Sequence, residues 1–85
     1  MPVISRFHGI VIFMNYNDHA PPHFHARHQD EEVIIEIDGP TVTGTMSARP
    51  LRLVLDWTYA HQVDLLEDWH LARDRKPLKP IPPLE

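Results

Sequence analysis

The hydrophobic period of this chain changes once, near Ser47, and that change limits the folds open to it. Before Ser47 apolar residues alternate at the two-residue period of strands; after it they recur at the 3.6-residue period of a helix. Val3 to Phe7 reads as a short strand, punctuated by His8-Gly9. Residues 10–16, "IVIFMNY", are apolar at odd and even positions alike, which predicts a central strand covered on both sides. Asn17-Asp18 opens a loop, and Pro21-Pro22 forces an extended exit from it. Further strands are expected over 23–28, 33–38 ("VIIEID") and 41–46 ("TVTGTM"), the last weakened by Gly44.

Ser47 is placed to cap a helix, and Pro50 is tolerated in its first turn, where amide hydrogens lack intrahelical partners. Leu51, Val54, Leu55, Thr58, Gln62, Leu65, Leu66, Trp69 and Ala72 then follow one helical face, predicting a single long helix over about 48–74. Such a helix spans roughly 37 Å, more than a small sheet needs, so it either bends or projects. Leu53, Trp57, Ala60 and Leu71 form a second apolar stripe. Two roles are open to it: a surface for a protein partner or a second copy, or burial beneath the segment after the helix. That segment, 77–85, carries four prolines and reads as an extended tail on a single domain of residues 1–76. Strands first and helix last define an α+β fold, with an antiparallel sheet of four to five strands packed by the helix.

Eighty-five residues without cysteine leave no disulfide or thiolate metal site to hold so small a domain together. No apolar run approaches the ~20 residues of a membrane span, and no signal-peptide pattern marks the start, which places the chain by default in the cytoplasm. A formal net charge of −4 argues against a free-standing, high-affinity nucleic-acid binder. Arg73, Arg75, Lys76 and Lys79 crowd the end of the chain. They form either a small positive patch or charge that favours a helix C-terminus.

Chemistry concentrates in "NDHAPPHFHARH", residues 17–28, which holds four of the seven histidines. A hairpin of 23–28 with 33–38, joined by a four-residue loop at 29–32, sets His28, Ala26 and Phe24 opposite Val33, Ile35 and Ile37 on a buried side. The other face then carries His25 opposite Glu36, His23 opposite Asp38, and Arg27 opposite Ile34. A carboxylate beside an imidazole fixes its tautomer and raises its basicity, which suits a general base and a metal ligand equally. Two site readings follow. In the first, His25 oriented by Glu36 is a general base and His23 or His19 the acid. Arg6 or Arg27 then stabilises the charge of a phosphodiester undergoing cleavage. In the second, His23, His25 and a third ligand from His19, Asp18 or Glu36 hold a metal, zinc suiting the nitrogen/oxygen set best, though nickel and copper also accept it. A histidine face used only for docking is a third reading. His8, His61 and His70 stand isolated and read as solvated or capping residues.

"ISRFHGIVIFM", the Asn17-Asp18-His19…Pro21-Pro22-His23-Phe24-His25 block, "LRLVLDWTYAHQVDLLEDWHLA" and "KPLKPIPPLE" resemble the small bacterial family catalogued as domain of unknown function 4160. Members are typically encoded beside a second uncharacterised family, domain of unknown function 2442, in an arrangement similar to a toxin–antitoxin pair. The resemblance implies a small component of such a module acting through a partner protein. If the chain is the toxin, RNA cleavage without a required metal is the implied chemistry. Asp74-Arg75 depart from the resemblance, standing where a glycine-containing turn is expected.

Overall fold

Alternation in the first half produces five strands, β1 (Val3–Phe7), β2 (Ile10–Phe13), β3 (His23–His28), β4 (Glu31–Glu36) and β5 (Thr41–Gly44). The structure, a computed structural model, describes residues 1–85. All neighbours are antiparallel and the sheet order is the chain order, so every connection is local. Helices α1 (Ala48–Ala60) and α2 (Gln62–Arg73) complete the α+β fold. Ile10, Ile12, Phe24, Ala26, Val33 and Ile35 point from the three middle strands into a core shared with Val54, Trp57, Leu65 and Trp69 of the helices. The chain shows no helix long and apolar enough to cross a membrane.

The β3–β4 hairpin corrects the expected register. Its loop is Gln29-Asp30 alone, with His28 paired to Glu31, so each residue of β3 meets a partner two positions earlier than expected. His23 faces Glu36 and not Asp38; His25 faces Ile34 and not Glu36; Arg27 faces Glu32 and not Ile34. Glu31 and Glu32 join the strand because both carboxylates find partners there. Glu31 Oε1 accepts from the amide and hydroxyl of Ser47, and Glu32 Oε1 from Arg27. A shift by two preserves the faces, since the side-chain period is two. Strand β2 ends at Phe13, three residues before the expected limit; the Met14 amide turns to the Pro2 carbonyl. Strand β5 stops at Gly44, whose φ of +103° breaks the extended run before Met46.

The expected single helix is two. At His61 the backbone takes φ −131° and ψ 27°, and its amide bonds to Thr58 O, one residue short of the α-helical partner. Thr58 Oγ1 donates to Val54 O at 2.7 Å, a back-bond that favours bending. Gln62 Nε2 donates to Ile37 O at 3.0 Å and fastens the start of α2 to the chain just beyond β4. The molecule is 33 Å along its longest axis, shorter than the unbroken helix would be, and the break keeps both halves on the sheet. Of the second apolar stripe, Trp57 is buried, Leu53 and Leu71 are half-buried, and Ala60 is exposed.

Residues 77–85 have neither helix nor strand and lie against the core. Ile81 is buried and its amide donates to Ile4 O, Trp57 Nε1 donates to Pro82 O, and the Lys79 amide donates to Asp68 Oδ1. At the end of α2, Arg75 and Lys76 amides reach back to Ala72 O and Leu71 O, closing the helix with Arg75 at φ +57°. Among the terminal cations, Arg73 lies over the Trp69 ring and Lys79 pairs with Glu67.

Candidate metal centre

Strand β3 begins at His23, so the strand period sends His23 and His25 to one face and Phe24 and Ala26 into the core on the other. The two rings lie 5.5 Å apart, centre to centre. Asp18, on the loop before β3, reaches across them. Its Oδ2 is 2.9 Å from His23 Nε2 and 3.4 Å from His25 Nε2. The histidine side chains are only 12% and 11% exposed, and that of Asp18 26%.

The second nitrogen of each ring fixes which atoms carry hydrogen. His23 Nδ1 lies 2.9 Å from the Pro21 carbonyl, an oxygen that only accepts, so Nδ1 donates. In a neutral ring, Nε2 then aims a lone pair at the Asp18 carboxylate. In the neutral tautomer with hydrogen on Nδ1, the Asn15 amide nitrogen, 3.4 Å from His25 Nε2, donates to it, a long contact that a bound cation would replace. The His25 hydrogen on Nδ1 is then 3.4 Å from Glu32 Oε2 and without a well-formed hydrogen bond. Three electron-pair donors therefore converge, two imidazole nitrogens and one carboxylate oxygen, all within 4.8 Å of one another. A cation shared among them, a proton or a metal ion, satisfies what bare acceptors cannot.

The electrostatics agree. Burial alone pushes the Asp18 carboxyl up; once a shared proton puts hydrogen on Nε2 of the rings, hydrogen bonds from His25 and His23 outweigh it and hold the group below its ordinary range. Hydrogen bonds from Arg27 are the main reason that Glu32 is also held low, burial opposing them and the Arg27 charge and His25 adding to them. Packing fixes the rings. Phe13 stacks on His25 at 5.0 Å, Trp69 of α2 lies 5.1 Å from His23, and Arg27 covers the Phe13 ring at 5.2 Å.

Ligand atoms around a tetrahedral zinc, with bonds of about 2.0–2.1 Å, stand roughly 3.3 Å apart. The separations of 2.9 and 3.4 Å from Asp18 fall on either side of that value. Two ligands from one strand and one from the adjoining loop leave a fourth position free.

Of the residues singled out from sequence, Asp18, His23 and His25 are brought together and His19 is not: it is exposed on the loop and outside the cluster. Glu36 lies opposite His23 in the ladder but makes no hydrogen bond to either ring. Arg27 is tied to Glu32 at 2.9 Å, and Arg6 is exposed on the edge strand, separated from Arg27 by Val11. The acid beside His25 Nδ1 is Glu32, which the four-residue loop had hidden. Asn15 and Trp69 were also missed. Asn15 follows Phe13 by two residues, and that parity was the available signal; Trp69 carried none, being assigned to the core.

A meander of five strands backed by two helices, with a histidine–carboxylate cluster on the face away from the core, defines a small α+β protein with one candidate ligand centre. The family described as Domain of unknown function (DUF4160) matches residues 9–70, and the chain belongs to it. Asp18, His23 and His25 fall inside the matched residues; β1 and the proline-rich segment fall outside. No curated protein and no solved structure matches the chain.

Proposed function

We propose that this protein is a metal-binding module in which Asp18, His23 and His25 hold one divalent ion of the zinc class. The observation carrying this reading is the convergence of three ligand atoms, with the second ring nitrogen of each histidine turned towards an oxygen. His23 is anchored on the Pro21 carbonyl, and His25 faces Glu32. Such second partners are what orient and strengthen metal-binding imidazoles. Two nitrogens and one oxygen suit zinc, copper or nickel, whereas magnesium and calcium favour all-oxygen sets. The two surface cavities of the molecule, lined by other residues, do not reach the cluster. An ion fits there better than a substrate-sized molecule does.

The resemblance supplies a setting: a cytoplasmic component of a toxin–antitoxin-like module, acting through a partner protein. A second reading, metal-independent RNA cleavage, is favoured by the proximity of His25 Nδ1 to Glu32 beside a second imidazole. That is an arrangement able to accept and deliver a proton.

Titration of tag-free protein with zinc tests the first reading. One equivalent is expected to bind and to raise the unfolding temperature by mass action. His23→Ala and His25→Ala are expected to abolish stoichiometric binding. Asp18→Asn should weaken it by at least about tenfold, and His19→Ala should leave it unchanged. Absence of saturable binding to the wild type overturns it. RNA cleavage that persists in excess chelator and is lost in His25→Ala would favour the second reading instead.

A further inference from the structure

Strand β3 ends at His28, three residues past His25 and five past His23, roughly 10–17 Å along the strand from the candidate metal centre, and there the structure holds a second cluster. A surface cavity of about 350 Å³ is lined by His8, His28, Arg49, Pro50 and Leu53. His8 belongs to the β1–β2 turn, His28 to the end of β3, and the other three to the first two turns of α1. We propose that this cavity binds the phosphate group of a small organic phosphate, of the size of a nucleoside monophosphate.

Three cationic or hydrogen-donating side chains share one cavity, and none of them forms an ion pair. The six ion pairs of the molecule all involve other residues. The neighbouring carboxylate, Glu31, is already engaged by the Ser47 amide at 3.0 Å and the Ser47 hydroxyl at 2.8 Å. Those bonds, the amide's foremost, hold it below its ordinary range; burial opposes them and the His28 charge adds a little. Arg49 stands in the first turn of α1, where no acid is present and the helix dipole disfavours a cation. An anion in the cavity removes that conflict. An imidazole offers at least one N–H in either protonation state, and guanidinium presents a fork matched to phosphate oxygens. Nothing projects from Gly9 towards the His28 ring, which lies 3.7 Å from where a Cβ would stand. The volume lies in the range of small-molecule sites, roughly 300–1,000 Å³. Pro50 and Leu53 give an apolar wall for the organic part, which makes a phosphate ester a better match than a bare ion.

Full-length, isotope-labelled protein in chelator, titrated with adenosine 5′-monophosphate, inorganic phosphate and adenosine, tests this by NMR. The monophosphate is expected to shift the His8 and His28 ring signals and the Arg49 and Leu53 amides saturably. It should bind more tightly than inorganic phosphate, and adenosine should have no effect. Arg49→Gln, at an exposed position, and His28→Gln, at a half-buried one, each checked for the folded spectrum, should weaken binding by about tenfold, the loss of one charge-assisted hydrogen bond. No saturable shift at these residues at millimolar monophosphate, shifts confined to His23 and His25, or unchanged affinity in Arg49→Gln overturns the proposal. Zinc binding at the other centre is read separately and does not depend on this result.

Discussion

Asp18 and Asp68 are both shielded carboxylates with opposite titration. At Asp18, hydrogen bonds from His25 and His23 overcome burial and hold the group low. At Asp68, burial dominates and pushes the group up; the Lys79 amide opposes it, and the charges of Glu67 and Asp64 add to it. Its Oδ2 has no partner at all. A carboxylate whose folded pKa is raised costs stability when ionised, and that cost disappears as pH falls below the unfolded value, about 3.9. Asp68→Asn keeps an acceptor for the Lys79 amide and cannot ionise. Its stability relative to the wild type is therefore expected to rise with pH between about 4 and 7, measured by urea unfolding across that range. Asp18, Glu31 and Glu32, all held low, act in the opposite sense, losing stability as pH falls, and cancel in the difference. A flat or falling difference contradicts the assignment. The sequence did not reveal Asp68, because it only flanks the apolar helical face and its partner, the Lys79 amide, comes from the proline-rich segment, whose course the sequence does not give.

The elements were legible wherever a strong signal had a single reading. Val3–Phe7 and His23–His28 have the extents expected of them, since each is closed by a turn or a double proline. The β3–β4 turn was not legible, because Gln29-Asp30 lacks the glycine that marks two-residue hairpins. Gln29 takes φ +55° nonetheless. Arg75 at φ +57° is the same case at the end of α2, on the Asp74-Arg75 pair where the family resemblance led us to expect a glycine-containing turn. Gln29→Gly and Arg75→Gly are each expected to stabilise the fold by about 1 kcal/mol, the cost of a left-handed residue bearing a Cβ. A shift of the urea midpoint to higher concentration is the check, and loss of stability would show that the side chains matter more than the backbone. The faces of the histidine strand survived the register error because the slip was even. His23 and His25 stayed together while their acids changed from Glu36 and Asp38 to Asp18 and Glu32.

Across the whole molecule, the proline-rich segment completes the core. Ile81 is buried, Leu78 and Leu84 pack against the cluster, and three hydrogen bonds fasten the segment to β1, α1 and α2. For 85 residues, net stability is on the order of 4–13 kcal/mol. Ile81→Ala, expected to cost about 2–4 kcal/mol, removes a large part of it. Lys79→Ala breaks only a surface pair with Glu67 and should cost under about 0.5 kcal/mol. Equal midpoints for the two variants would mean that the segment is dispensable. Its packing could not be read from sequence, since proline sets the backbone angle but not the direction in which the chain leaves a helix. The same limit hid how Trp57 of the second stripe is satisfied, by the carbonyl of Pro82.

Ring nitrogen chemical shifts of the seven histidines, recorded before and after one equivalent of zinc, test the centre most directly. The expected result is that Nε2 of His23 and of His25 move together and saturate at one equivalent, with Nδ1 of both still protonated and the other five rings unmoved. Coordination through Nδ1, zinc taken up by His8, His28 or His61 instead, or seven unchanged rings would contradict the convergence on which the reading depends.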